Sequence, residues 1–237
     1  FILLPSTSPF VLQSCSYTFS DAAYFGITAP SLAVLHVSAS ASCELSSTIF
    51  AFQNVSSVEF ENLHFQQWPR AALSIHNATG LVSIKSCEFS DFALQLLPLS
   101  LQSHLIHISS SDNVTLESLK FNIIKLMNSS VIAIANNDAS SNLVASRIQF
   151  SKITLRCDYA MDSCSLFNAQ NLGALSLDSL TIQDITTQVS ATELIKLTNI
   201  ASSVQLTSFF FNNVNTRVTT GVLVLYNIAG QVSLSRL

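Results

Sequence analysis

Apolar positions recur along most of this chain in a fixed rhythm. In Val204-Gln-Leu206-Thr-Ser-Phe209-Phe-Phe211-Asn-Asn-Val214 they fall at steps of two, three, two and three. A step of two sends alternate side chains to opposite faces of a strand, and a step of three adds a two-residue bend that keeps the apolar side inward. The rhythm returns at Val58-Phe60-Leu63-Phe65-Trp68, Val82-Ile84-Cys87-Phe89-Phe92, Val114-Leu116-Leu119-Phe121-Ile124, Leu143-Ala145-Ile148-Phe150-Ile153 and Leu175-Leu177-Leu180-Ile182-Ile185, and begins again at Val232-Leu234-Leu237. Successive starts are 29 residues apart on average. A further apolar pair precedes each pattern: Phe50/Phe52, Leu73/Ile75, Ile106/Ile108, Ile132/Ile134, Ile195/Leu197 and Leu223/Leu225, with a weaker Leu166/Phe167 in the fifth repeat.

Self-similarity at this period marks a solenoid or propeller, and the uneven spacing means that the loops vary while the strands do not. Three short strands per repeat make a narrow coil, and coils stacked about 4.8 Å apart pair each strand with its equivalent, in parallel and in register. The expectation is an all-β chain, a parallel β-helix of about seven to nine coils of three short strands. These repeats resemble those of right-handed parallel β-helix proteins, the pectin-lyase-like superfold. The resemblance covers about residues 50–237 and lies in spacing, not in a catalytic motif. It implies a right-handed coil, in agreement with the usual crossover rule.

A repeat of this kind makes residues 1–237 one elongated domain, not two globular ones. Residues 50–237 carry the regular coils. Residues 1–49 hold degenerate copies, at Phe10-Leu12-Cys15-Tyr17 and around Leu35 and Val37. The rhythm breaks off in mid-repeat at Leu237, so the chain is expected to be a fragment of a longer one. Charged residues are only 10% of the chain against about 25% in ordinary soluble domains. The net charge is −4, and Lys and Arg are scattered singly, which excludes a basic stripe for nucleic acid. The uncharged stretches 22–43 and 92–111 are interrupted by Pro and His, so no membrane span is expected. Glycine is scarce, at 5 residues, so Asn, Asp and Ser must supply the turns.

Four sequons, at Asn54, Asn77, Asn113 and Asn128, fall where turns are expected, at the surface. Cys157 and Cys164 bracket a short insertion and are expected to form a local disulfide; Cys15 and Cys43, in neighbouring degenerate coils, could form a second. Cys87 occupies an inward position equivalent to Leu63 and Leu119 and reads as a small buried hydrophobe. Glycans and disulfides together imply an oxidising compartment, and hence a secreted glycoprotein.

Stacking the repeats predicts two outward columns: Glu61, Lys85, Glu117, Ser146, Asp178, Thr207, Ser235 and His64, Glu88, Lys120, Gln149, Thr181, Phe210. Alternating charge in them suggests ion-pair ladders that specify register. The bend between them reads Asn62, Ser86, Ser118, Arg147, Ser179, Ser208, Arg236, which suggests hydroxyls bonding along the stack. The enzymes of the resembling superfold use clustered aspartates with Gly-His-Gly, or calcium-binding acids with a base; neither pattern occurs here. No catalytic, metal or cofactor residue is assigned. Phe210, Val144, Val224, Ile123 and the apolar loop Phe92–Leu101 suggest outward contacts. The expected function is a non-enzymatic structural or adhesive module of a filament, coat or matrix, partnered by itself or by other extracellular proteins or glycans. The alternative is a carbohydrate-active or carbohydrate-binding β-helix.

Overall fold

The structure, a computed structural model, describes residues 2–3, 10–12, 17–21, 24–37, 48–66, 71–93, 104–136, 140–157, 164–188, 193–216 and 221–236. Every described element is a β-strand, and all pairings are parallel within one continuous sheet. The sheet winds through about six turns with a period near 29 residues. That is fewer than the seven to nine coils expected, because the partial patterns at the two ends do not each add a full turn. No helix of the described residues is long and apolar enough to cross a membrane.

Each turn contains three runs. The first is typified by Phe50–Val55, Leu73–Ala78 and Ile106–Ser109, and the second by Leu81–Lys85 and Asn113–Glu117. The third is typified by Glu88–Ala93 and Lys120–Met127. In later turns the runs fuse into long bent strands, such as Phe167–Gln188. The second-run starts pair in the expected chain: Val58 with Val82, Val82 with Val114, Val114 with Leu143, Leu143 with Leu175, Leu175 with Val204 and Val204 with Val232. The fifth first-run pair is Phe167/Ala169, matched to Ile132/Ile134, not Leu166/Phe167.

Apart from Val232, which is exposed on the last described rung, the side chains at these positions fill one continuous core. Its most ordered feature is a phenylalanine column in the third run. Phe65, Phe89, Phe121 and Phe150 stack face to face at 4.8, 5.0 and 5.1 Å between ring centroids. Stacked rings at this spacing match the distance between rungs of the sheet.

Bends need residues that turn the chain without breaking the ladders. Twenty described non-glycine residues adopt positive φ, all between 49° and 59°. They fall mainly on three corners. The first includes Asn54, Asn77, Ser110, Asn171, Asn199 and Asn227; the second is the predicted bend from Asn62 to Arg236; the third holds Asp91, Ile123, Lys152, Asp184 and Asn213. Asn and Asp tolerate this left-handed conformation best among residues with a side chain, which is why they supply so many of these corners in a glycine-poor chain.

The described residues before Phe50 join the stack in a different phase from the one expected. Tyr24–Thr28 is the second run of its turn, pairing with Ser57–Glu61, and Phe25 and Ile27 enter the core. Phe10–Leu12 pairs with Leu35–Val37, so both belong to third runs. The register shifts between Thr28 and Ala33, where residues 29–32 occupy a corner that Asn62 alone turns in the next rung.

Candidate functional site

Charged and hydroxyl side chains line the second corner. The two predicted outward columns form as expected: Glu61, Lys85, Glu117, Ser146, Asp178 and Thr207 are successive register partners, as are His64, Glu88, Lys120, Gln149, Thr181 and Phe210. Between them the bend leaves a shallow groove. One section, about 360 Å³, is lined by Ser118, Lys120, Arg147, Gln149, Ser179 and Thr181. Two adjoining sections of about 300 and 260 Å³ extend it past Ser86, Glu88 and Asn122, and Lys120 borders all three.

The charge pairing in this groove differs from the expected ladder. Among the described residues, Lys85 and Lys120 form no ion pair within 4.0 Å of their neighbouring carboxylates. Glu117 instead pairs with Arg147, whose Nε also donates to Ser118 Oγ at 2.9 Å. Arg147 stands on the bend one rung further, and its long side chain lies back along the stack. His64 Nε2 contacts Ser90 Oγ at 2.8 Å and lies 4.0 Å from Glu88. Asp178 accepts hydrogen bonds from the Thr207 and Ser179 hydroxyls, which hold its carboxyl below the usual carboxylate range. A general acid of glycoside chemistry needs the opposite shift, a carboxyl kept protonated near neutral pH.

Serine does not ladder with serine along this bend. The ladder is of asparagine and lies at the first corner: Asn77 Nδ2 donates to Asn54 Oδ1 at 2.7 Å, Asn199 to Asn171 at 2.8 Å, and Asn227 to Asn199 at 2.7 Å. The signal is present in the sequence, since an asparagine stands two residues past the apolar pair at Asn54, Asn77, Asn136, Asn199 and Asn227, and at Asn171 past the corrected pair Phe167/Ala169. At the third corner Asn213 donates to Asp184 at 2.6 Å.

No family model, curated protein or solved structure matches this chain. Its chemistry is therefore read from its own residues.

The sequon asparagines occupy unequal places. Asn54 and Asn77 are exposed members of the asparagine ladder, and Asn113 is exposed at the start of a second run. Asn128 is 8% exposed, with Ser129 and Ser130 buried beside it, so the expected surface position does not hold there. Cys157 and Cys164 form a disulfide with Cα atoms 6.0 Å apart, as expected, and both are buried. Cys15 and Cys43 lie outside the described residues. Cys87 is buried in the predicted inward position; burial pushes its thiol up to about 12, and it donates to the Lys85 carbonyl.

Of the outward apolar residues, Phe210 is 57% exposed, Val144 50% and Ile123 42%, but they stand on three different columns. Val224 is half-buried, and Phe92 belongs to the core. Residues 94–101 of the apolar loop lie outside the described residues. Among the described residues no group of three or more His, Cys, Asp or Glu side chains could hold a metal ion. Sequence reading missed a histidine group at the first run, where His104 and His107 lie 5.3 Å apart between ring centroids and His76 bonds Ser109 one turn on.

Proposed function

We propose that this chain is a stiff structural or adhesive module of a secreted glycoprotein, a β-solenoid that serves a filament, surface coat or matrix. The observation that carries the reading is the parallel, rung-on-rung stack of the described strands from Phe50 to Ser235, in register but for one shift between Leu172 and Ala174, with corners held by left-handed residues and bonds between asparagines. Such a stack transmits load along its axis and presents long, chemically regular sides. The Cys157–Cys164 disulfide is a weak sign of an oxidising compartment. We place the chain with the pectin-lyase-like superfold as a non-catalytic member, on the strength of its repeat architecture.

Electron microscopy of the native material, with site-resolved glycan analysis by mass spectrometry, tests this. Ordered rods or filaments with sugar at Asn54, Asn77 or Asn113 support it; Asn128 should stay unmodified. Dispersed monomers without glycans would count against the proposal.

One observation favours the alternative of a carbohydrate-binding or carbohydrate-active β-helix. The groove along the second corner places hydroxyl, amide and charged side chains along successive rungs. Screening the same material for polysaccharide retention and cleavage decides between the two.

A further inference from the structure

His104 satisfies a backbone group of the next turn. At the start of the first runs, amides bond to carbonyls one turn ahead: Leu105 N donates to Ser130 O at 3.1 Å, and Val131 N to Ser165 O at 3.0 Å. Ser130 is fully buried, and its own N–H points back to Nδ1 of His104 at 3.1 Å. That bond requires the neutral ring with its proton on Nε2, because a protonated imidazole is a donor at both nitrogens. A second imidazole, His107, packs against the first with the rings tilted by 58°. His107 is half-buried and lies in register with Ser74 and Ala133.

The surrounding segments supply few titratable groups. On the same run the neighbour of His104 is His107. On Leu73–Ala78 the one titratable residue is His76, in register with Ser109 and facing His107, and Ile132–Ala135 carries none. Residues 71–72 and 129–131, which bond the rung on either side, carry none. His104 and His107 therefore pack together, His76 lies beyond His107, and these segments supply no carboxylate. Burial holds His104 down to about 4, with His107 adding to the effect, and His107 is lowered by burial and by His76.

We propose that His104, with His107 and His76, is an acid-sensitive latch that keeps the turn over residues 104–136 closed at neutral pH and releases it on acidification. Protonation turns Nδ1 from acceptor to donor against the Ser130 N–H, and it places a cation beside the His107 ring, which itself faces His76. The direction of the linkage follows. A histidine held below its ordinary value of 6.5 stabilises the closed form fully above that value, and the contribution is lost as the pH falls from about 6.5 towards 4. A shift from 6.5 to about 4 favours opening on the order of 50-fold between about pH 7 and about pH 4.5.

Hydrogen exchange on the whole protein, corrected for intrinsic rates, reads this directly. Residues 126–136 should lose protection by roughly that factor over this pH interval, while residues 175–187, with no histidine, lose much less. His104→Asn, which puts a non-titrating Oδ1 near the Nδ1 position, should keep protection at neutral pH and abolish the difference. Equal loss in both segments, or a pH response in His104→Asn as large as in the wild type, overturns the proposal. Proton NMR titration of the wild type tests the same point without a variant. His104 should stay neutral down to about 4, and ionisation near 6.5 would refute the latch.

Discussion

The phenylalanine column makes a quantitative claim about cooperativity between turns. Phe121 is fully buried and stacks on Phe89 at 5.0 Å below and Phe150 at 5.1 Å above, with planes within 16° of parallel. Truncating a buried phenylalanine to alanine costs about 3–5 kcal/mol, and each stacked pair adds about 0.5–1.5 kcal/mol. Phe121→Ala should therefore lie near the top of that range, at about 5 kcal/mol. Phe209→Ala should cost about 3 kcal/mol, because Phe209 is 5% exposed and meets one ring, Phe211, edge-on at 6.4 Å. The sharper test is coupling. In a double-mutant cycle Phe89 and Phe121 should couple by about 1 kcal/mol, whereas Phe65 and Phe150, three rungs apart, should be additive within about 0.5 kcal/mol. Urea unfolding followed by circular dichroism measures both cycles, with Phe→Leu replacements where alanine prevents folding. Additivity at the adjacent pair, or equal coupling at the distant pair, would show that the column is a row of independent core residues.

Other expectations rest on single features. A Cβ built on Gly230 would lie 1.4 Å from the Ser202 carbonyl oxygen, so Gly230→Ala must push the last described rung away. Increased exchange over residues 221–236 with little change before residue 193 is the expected signature. Asn199 donates to Asn171, accepts from Asn227 and holds φ at 55°. Asn199→Ala should cost about 1–2 kcal/mol in urea unfolding, and Asn199→Gly distinctly less if left-handed strain dominates over the two side-chain bonds. Cys157 and Cys164 close a loop with a sequence separation of 7, for which chain entropy gives about 2.5 kcal/mol; stability with and without reductant measures it.

The parts of this fold legible in the sequence are those set by burial. Positions such as Val82, Val114 and Leu143 must be apolar because each is enclosed by the turns on either side, so the spacing alone yields the register and both outward columns. Corners are less legible because they are chosen by backbone conformation, and serine, arginine, lysine and even Ile123 share the left-handed region with asparagine. The serines of the bend line up in the sequence, yet Ser118 takes its bond along the stack from Arg147, while the longer amide of Asn199, with its donor and acceptor on separate atoms, reaches from rung to rung. The N-terminal phase is hidden by residues 29–32, which lengthen one corner and displace the rhythm. Reach explains the ion pairs: Glu117 meets Arg147 from the bend and not its register partner Lys85. The fifth first-run pair escapes the pattern because Ala169 fills an inward place with so little apolar bulk.

Every described strand from Phe50 onward pairs only with its equivalent one turn earlier or later. Stacking order is therefore the order of synthesis. Each completed turn offers the next an edge with unfilled amides and carbonyls, and nothing in a finished turn waits for a distant part of the chain. Such a molecule can consolidate from its N-terminal side while later residues are still emerging from the ribosome or threading through a narrow channel.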